Sequence, residues 1–326
     1  MSSFRDKKKV VVTGCAGFIG SNLVDKLLAD GYMVVGLDNL ETGDLRFLNE
    51  ALNNRDFTLQ LVDLQKNEAL PVLFEGSEIV FHLAANADVR FGPEKPRRDL
   101  ELNTIVTHNV LEAMRLSGVV KIVFSSTGSI YGDCKITPTP ETAPFPIQTS
   151  LYGASKLACE GLIQAYCESF NFQAWIFRFV SILGPRYSHG HVIDFYKQLT
   201  EHPAYLSVLG NGHQRKSYLH VLDCIAGIEI AIKNSNEKVN IFNLGVDDTC
   251  EVRDSIAWIT DKLKVTPKLN FGTEPQGWIG DSALIHLQTS KINSLGWAPK
   301  FTIKESIEST LDFLMNDNWF TSQHLV

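Results

Sequence analysis

The chain has little of what marks several protein classes. Its six cysteines (Cys15, Cys134, Cys159, Cys167, Cys224 and Cys250) are scattered over 326 residues with no Cys-x-x-Cys pair. Neither a disulfide framework nor a zinc site is expected from that pattern. No apolar run approaches the roughly 18 residues of a membrane helix, and Met1-Ser-Ser-Phe-Arg-Asp-Lys7 holds no apolar signal segment. Positive charge is scarce as well. With 30 Lys and Arg against 37 Asp and Glu, the formal net charge is −7, which offers no electrostatic footprint for nucleic acid. The one basic run, Lys7-Lys8-Lys9, directly precedes an apolar strand and reads as its solvated entry. Internal repeats and low-complexity segments are absent. What remains, 44% hydrophobic and 21% charged residues, is ordinary globular composition. The expectation is a protein of a reducing cytoplasm, with no membrane, nucleic-acid or metal partner.

The order of elements is more informative. Lys9-Val-Val-Val-Thr13 reads as a short strand buried on both faces, as in parallel sheets. Gly14-Cys-Ala-Gly17-Phe-Ile-Gly20 follows at once, then an amphipathic helix over 21–30, and Met33-Val-Val-Gly-Leu37 closes on Asp38. This is a βαβ unit with glycines at its first turn. Glycines there allow close approach of a pyrophosphate, which rests on the helix N-terminus. A carboxylate at Asp38 accepts hydrogen bonds from an adenosine ribose and repels a 2′-phosphate, favouring NAD over NADP.

The alternation continues through strands at 57–62, 78–85, 119–124 and 174–179 and helices near 103–117 and from Tyr152 to Phe170. It predicts an α/β Rossmann-type fold, a doubly wound parallel sheet, with ligands at the carboxyl edge of the strands. After about residue 180 the glycines and prolines crowd closer. The reading is a dinucleotide-binding domain over 1–180, with 213–245 returning to it. A smaller, partly interleaved substrate-binding lobe takes 181–212 and 246–326.

Ser125-Ser-Thr127 leaves one strand, and Tyr152 and Lys156 are four apart on the next helix, hence on one face. A free tyrosine titrates near 10, too high for a base at neutral pH. A lysine cation nearby favours the phenolate and would bring it toward the working range.

Together, Thr13-Gly-Cys-Ala-Gly-Phe-Ile-Gly20, Asp38-Asn-Leu40, Asp63-Leu64, His82-Leu-Ala-Ala85, Ser125-Ser-Thr127, Tyr152-Gly-Ala-Ser-Lys156 and Leu295-Gly-Trp-Ala-Pro299 resemble the extended short-chain dehydrogenase/reductase family. The branch they are most similar to is the NAD-dependent nucleotide-sugar epimerases and dehydratases. The resemblance implies Thr127, Tyr152 and Lys156 as catalytic residues. It assigns to the cofactor Gly14, Gly17, Phe18, Ile19, Gly20, Asp38, Asn39, Asp63, Leu64, Leu83, Ala84, Ala85, Asn103 and Ser125, with Tyr152 and Lys156. The dehydratases, decarboxylases and 3,5-epimerases of this branch place an acid or a thiol just after the threonine. Here Gly128 and Ser129 stand there, which leaves the set used by 4-epimerases of the UDP-glucose type, acting through a transient 4-keto sugar. Open beside this are a nucleotide-sugar reductase or dehydrogenase, an epimerase at a neighbouring carbon, and a non-catalytic NAD-binding sensor. A homodimer is also implied by the resemblance.

The substrate side departs from the family pattern. Ser181 replaces a substrate-contacting Asn, and Trp278 replaces a diphosphate-binding Arg. Arg186, His189, His191, Arg215 and Lys216 are then the candidates for a diphosphate-linked sugar, with Arg90 either in the pocket or solvated. His82, at an apolar strand end, reads as a satisfied core or cofactor-edge histidine, and Cys134 as a structural thiol.

Overall fold

The structure is a computed structural model in which residues 7–66, 68–86, 92–145, 147–275, 277 and 284–316 are described. In chain order the strands and helices used below are β1 (Lys9–Thr13), α1 (Phe18–Ala29), β2 (Met33–Asp38), α2 (Asn49–Leu52), β3 (Phe57–Leu61), α3 (Leu70–Phe74), β4 (Ser77–His82), α4 (Pro96–Asp99), α5 (Val106–Ser117), β5 (Lys121–Thr127), α6 (Leu151–Phe170), β6 (Gln173–Phe179), β7 (Ser181–Leu183), α7 (His191–Glu201), β8 (Tyr205–Val208), β9 (Arg215–Lys216), β10 (Tyr218–His220), α8 (Val221–Asn234), β11 (Val239–Leu244), β12 (Cys250–Glu251) and α9 (Val252–Leu263).

Seven strands form one sheet in the order β11-β6-β5-β4-β1-β2-β3. β1 runs parallel to both β2 and β4, β2 to β3, and β4 to β5. The 3-2-1-4-5-6 order is that of the doubly wound dinucleotide-binding sheet, and its strand order reverses between β1 and β4. Val10, Val11 and Val12 have no exposed surface, which is why this strand is an unbroken valine run and does not alternate with polar residues. Helices α3, α5 and α6 close over the sheet through Leu70, Phe74, Val110, Leu111, Met114, Cys159 and Ile163.

Among the described residues, two compact units are distinguished: Met1–Thr127, Leu151–Phe177 and Asn234–Ile241 in the first, and Gly128–Ser150, Arg178–Lys233 and Phe242–Val326 in the second. The block expected over 1–180 is therefore interrupted by 128–150, and only 234–241 of the expected return falls in the first unit. Hydrogen bonds account for the interruption. Thr139 exchanges backbone bonds with His286 and Gln288 at 2.9 Å each, and Asn243 Nδ2 donates to the Thr139 carbonyl at 2.8 Å. Within that second unit the fully buried Arg178 lies over the Tyr131 and Phe145 rings at 5.0 and 5.1 Å. Its guanidinium also donates to the Tyr131 hydroxyl at 2.8 Å and the Glu141 carbonyl at 2.9 Å.

Some boundaries differ from the sequence reading. The strand expected over 78–85 stops at His82, and β5 continues to Thr127. The helix expected from Asn103 is preceded by α4 and by a π-helical turn over Leu100–Ile105. Such turns are uncommon and concentrate at functional sites; here the turn carries Asn103.

Candidate active site

The first unit brings the glycine-rich turn, the acid ending β2 and the Tyr152 helix together. Gly14 is left-handed at φ +68°, and a Cβ there would lie 2.8 Å from the Ala84 nitrogen. A Cβ on Gly20 would lie 2.0 Å from the Gly14 carbonyl oxygen, so only glycine lets α1 start so close to β1. Gly17 caps α1 with no side-chain hydrogen bond. Gly17 thus offers the first N–H groups of α1 no capping side chain of its own, and such a terminus attracts an anion. Gly20→Ala is expected to abolish cofactor retention and lower yield, measured as NAD released on denaturing the purified variant.

Asp38 is buried, its Oδ2 accepting from the Ala16 N–H at 2.9 Å and Oδ1 from the Leu40 N–H at 2.8 Å. It borders a cavity that is also lined by Gly14, Asn39, Asp63, Leu64, Ala84 and Ala85. The carboxylate is thereby fixed at the rim with lone pairs left for a ribose diol, and the cavity sits at the point where strand order reverses. These residues fit an adenine dinucleotide.

Around the cavity, several residues not singled out from the sequence hold the walls. Asn109 Nδ2 donates to the Leu64 and Gln65 carbonyls at 2.9 and 3.2 Å. Thr13 Oγ1 accepts from the Leu83 and Ala84 N–H groups at 3.2 Å each. Its single proton then goes to His82 Nδ1 at 2.8 Å, so His82 carries its own proton on Nε2 and donates to Thr107 Oγ1 at 3.0 Å. His82 is a satisfied core histidine, as expected. Burial, with Lys156 second, pushes it down to about 3. Because the folded state resists the proton that the unfolded chain takes up, stability is full above about 6.5 and falls as pH drops from there toward 3. Urea unfolding across that range is expected to show the fall, and His82→Gln to flatten it. His191, also lowered to about 3 by burial and then Lys216, adds a second component.

At the carboxyl end of β5, the Thr127 side chain is hydrogen-bonded to the Tyr152 phenol. One helical turn on, Lys156 is 2% exposed, donates from Nζ to the Ser125 carbonyl at 2.8 Å and lies 4.7 Å over the Phe124 ring. The electrostatics add what the spacing along the chain does not show. Burial first, then the Asp99 charge, push the Tyr152 phenol above its ordinary range, against the Thr127 hydrogen bond. Burial also lowers Lys156 to about 8. Both groups lose hydration of their charged forms, and that loss is the largest cause of each shift. Lysine alone does not make the tyrosine a base; a further positive charge has to arrive.

Asn103, expected at the cofactor, uses its side chain within the protein. Oδ1 accepts from the Asn86 N–H at 2.8 Å, and Nδ2 donates to Ser155 Oγ at 2.9 Å. Ser125 Oγ likewise donates to the His82 carbonyl at 3.4 Å.

In the second unit, Ser181 is exposed at the start of β7. Arg186 has a left-handed backbone at φ +70°, a strained setting of the kind found at ligand sites. Arg215 is exposed and Lys216 half-buried on β9. His189 is exposed, with Ser188 Oγ 3.2 Å from its Nδ1. His191 is not in a loop. It opens α7, with Nε2 2.7 Å from Ser255 Oγ and its ring 5.0 Å from that of Tyr218. Arg90 and Trp278 lie outside the described residues.

A parallel sheet of this order, a glycine turn, an acid at the end of β2 and a Thr-Tyr-Lys cluster define a dinucleotide-dependent enzyme of the Rossmann class. The chain belongs to the NAD-dependent epimerase/dehydratase family, which it matches over residues 10–245. It is 31% identical over 313 residues to the UDP-glucose 4-epimerase of Mycolicibacterium smegmatis, covering 94% of this chain and 99% of that protein. A crystal structure of a UDP-galactose 4-epimerase superposes with a TM-score of 0.86 at 34% identity, covering 95% of this chain and all of the other, 100%. The UDP-glucuronic acid 4-epimerase from Bacillus cereus, solved with UDP-glucuronic acid and NAD, gives a TM-score of 0.86 at 26% identity, with 94% and 99% coverage.

Proposed function

We propose that the protein is an NAD-dependent nucleotide-sugar 4-epimerase acting on UDP-linked sugars. The observation that carries this reading is the Tyr152 phenol held against Thr127, one turn from a buried Lys156, in a chain with Gly128 and Ser129 where related chemistries need an acid or a thiol. The names of the similar proteins support the reaction and the uridine diphosphate.

Bound NAD supplies reversible oxidation at the sugar carbon. Gly14, Gly17 and Gly20 would seat its pyrophosphate and Asp38 its adenosine ribose. Tyr152 accepts the proton of the sugar 4-hydroxyl and returns it to the same oxygen once the carbon has inverted, so neither protons nor electrons are consumed. Thr127 holds that oxygen in line with the phenol. Lys156 places a positive charge beside the phenolate and so stabilises it. Arg186, Arg215 and Lys216 are the second unit's candidates for holding the diphosphate.

The reading includes a homodimer in a reducing cytoplasm. Leu100 and Ile105 in the π-helical turn and Phe170 at the end of α6 are 50%, 43% and 44% exposed, apolar area suited to a second copy. All six cysteines are free, and no helix among the described residues is long and apolar enough to cross a membrane. Light scattering of the purified protein checks the dimer.

The test of function is incubation with UDP-glucose, UDP-N-acetylglucosamine or UDP-glucuronic acid without added reductant. Interconversion of one pair of 4-epimers with no net change in NAD is expected. Stoichiometric consumption of reduced or oxidised cofactor would replace the epimerase by a reductase or dehydrogenase.

A further inference from the structure

Glu160 has no exposed surface, although it sits in the middle of α6. Its helix neighbours Cys159 and Ile163 belong to the apolar core over the sheet. A carboxylate withdrawn from water is costly unless it is well bonded, and a leucine would fill similar space without that cost. Glu160 is held from β5. Ser126, 3% exposed, donates from Oγ to Glu160 Oε1 at 2.5 Å.

Ser126 stands between the two β5 residues that the site uses. Lys156 Nζ donates to the Ser125 carbonyl at 2.8 Å, and the Thr127 side chain is hydrogen-bonded to the Tyr152 phenol. Tyr152, Lys156 and Glu160 follow one another at intervals of four on α6, so they share one helix face. That face is fastened to three consecutive residues of β5. The proton transfer at Tyr152 gives neither Ser126 nor Glu160 a task. Apolar contact between helix and sheet is non-directional and tolerates a small slip, whereas a hydrogen bond has a short range and a preferred angle. A satisfied buried polar pair therefore specifies one arrangement of the two elements.

We propose that Glu160 is a positioning residue: its hydrogen bond to Ser126 fixes the register of α6 on β5 and so keeps the Tyr152 phenol at Thr127 and the Lys156 ammonium at the Ser125 carbonyl. The two helical turns between Glu160 and Tyr152 carry that register to the reacting groups. The inference rests on the reading of Tyr152 as the base.

The test compares Glu160→Leu, Glu160→Gln and Ser126→Ala proteins loaded with NAD. The Leu and Ala variants are each expected to lower kcat by on the order of 10- to 100-fold, the effect of a displacement near 1 Å at the reacting groups, with KM and NAD content little changed. Combined, their losses are expected not to multiply, because both remove one bond. Glu160→Gln keeps an oxygen that accepts the Ser126 proton and is expected to recover most of kcat. Glu160 also opposes, after Cys159, the burial that lowers Lys156, and the Gln variant separates that charge from the bond. A Gln variant as slow as the Leu variant, or losses that multiply, overturns the proposal. Should the Leu variant fail to fold, Ser126→Ala, which deletes a single oxygen, keeps the comparison. Apart from turnover, tyrosine labelled with carbon-13 at Cζ reports the hydrogen bond of the phenol. The Tyr152 signal, identified by its loss in Tyr152→Phe, is expected to move in the Leu and Ala variants and to return in the Gln variant; an unmoved signal overturns the proposal equally. Those movements in a protein that epimerises no sugar tried would leave this inference standing and remove the proposed function.

Discussion

Tyr152→Phe is expected to lower kcat by roughly 10²- to 10⁴-fold, the usual contribution of a positioned acid–base group, while NAD remains bound and stability barely changes. The phenol oxygen is the group that exchanges the sugar's proton, and phenylalanine keeps the ring but has nothing to accept it. Removing the hydroxyl gives up one hydrogen bond to Thr127, worth about 1 kcal/mol net, and relieves the burial of a polar group. The two nearly cancel. A companion change, Thr127→Val, removes only the orienting partner and is expected to cost less than Tyr152→Phe. Steady-state rates with each nucleotide sugar, alongside NAD content and thermal unfolding, check the pair. Activity above a tenth of wild type in the Phe variant would remove Tyr152 as the base.

Lys156→Met is expected to abolish turnover and, in the protein freed of cofactor, to raise stability. Lys156 is almost wholly buried and is lowered to about 8 chiefly by that burial, against about 10.4 for a free lysine. Keeping it charged in the fold costs about 3 kcal/mol. The Met variant forfeits the hydrogen bond to the Ser125 carbonyl and the contact with the Phe124 ring, which offsets part of this and leaves a gain of about 1–2 kcal/mol at pH 7. The sign follows from linkage. The folded protein releases the lysine proton near 8 and the unfolded chain only above 10, so the wild type gains stability as pH rises through that window. Below pH 8 the variant's advantage is therefore full, and it closes between about 8 and 10. Urea unfolding of both proteins at a series of pH values measures the gap. A variant less stable than wild type at pH 7 would mean that the burial cost of the ammonium is compensated by its neighbours.

The two expectations differ in how far they depend on the fold. That Tyr152 and Lys156 share a helix face is legible from their spacing, because a helix puts i and i+4 together wherever it occurs. That the pair lies deep enough for desolvation to be the largest cause of both shifts is not legible, because depth depends on every element packed around it. The sequence reading counted the charges of the lysine and of a nicotinamide ring, and the opposing desolvation of Tyr152 left no mark in it. The same division runs through the cofactor side. Gly14, Gly20 and Asp38 are recognisable because turn geometry and strand ends are local. Asn86, Asn109 and Thr13 escaped notice because their partners stand 13, 45 and 69 residues away, and nothing in a short window marks an ordinary asparagine or threonine as a brace. Asn103 was expected at the cofactor, and its amide links Asn86 to Ser155.

The sequence by itself determined the βαβ opening, the parallel sheet, the preference for NAD and the shared helix face of Tyr152 and Lys156, since each rests on period, turn chemistry or spacing along the chain, while Thr127 came in through the family resemblance. Tertiary structure alone decided which charges meet. It joined 128–150 to the second unit and locked His82 between two threonines. It also tied Asn86 to both Asp99 and Asn103, because burial and cross-chain contact are properties of the packed whole and leave no local mark.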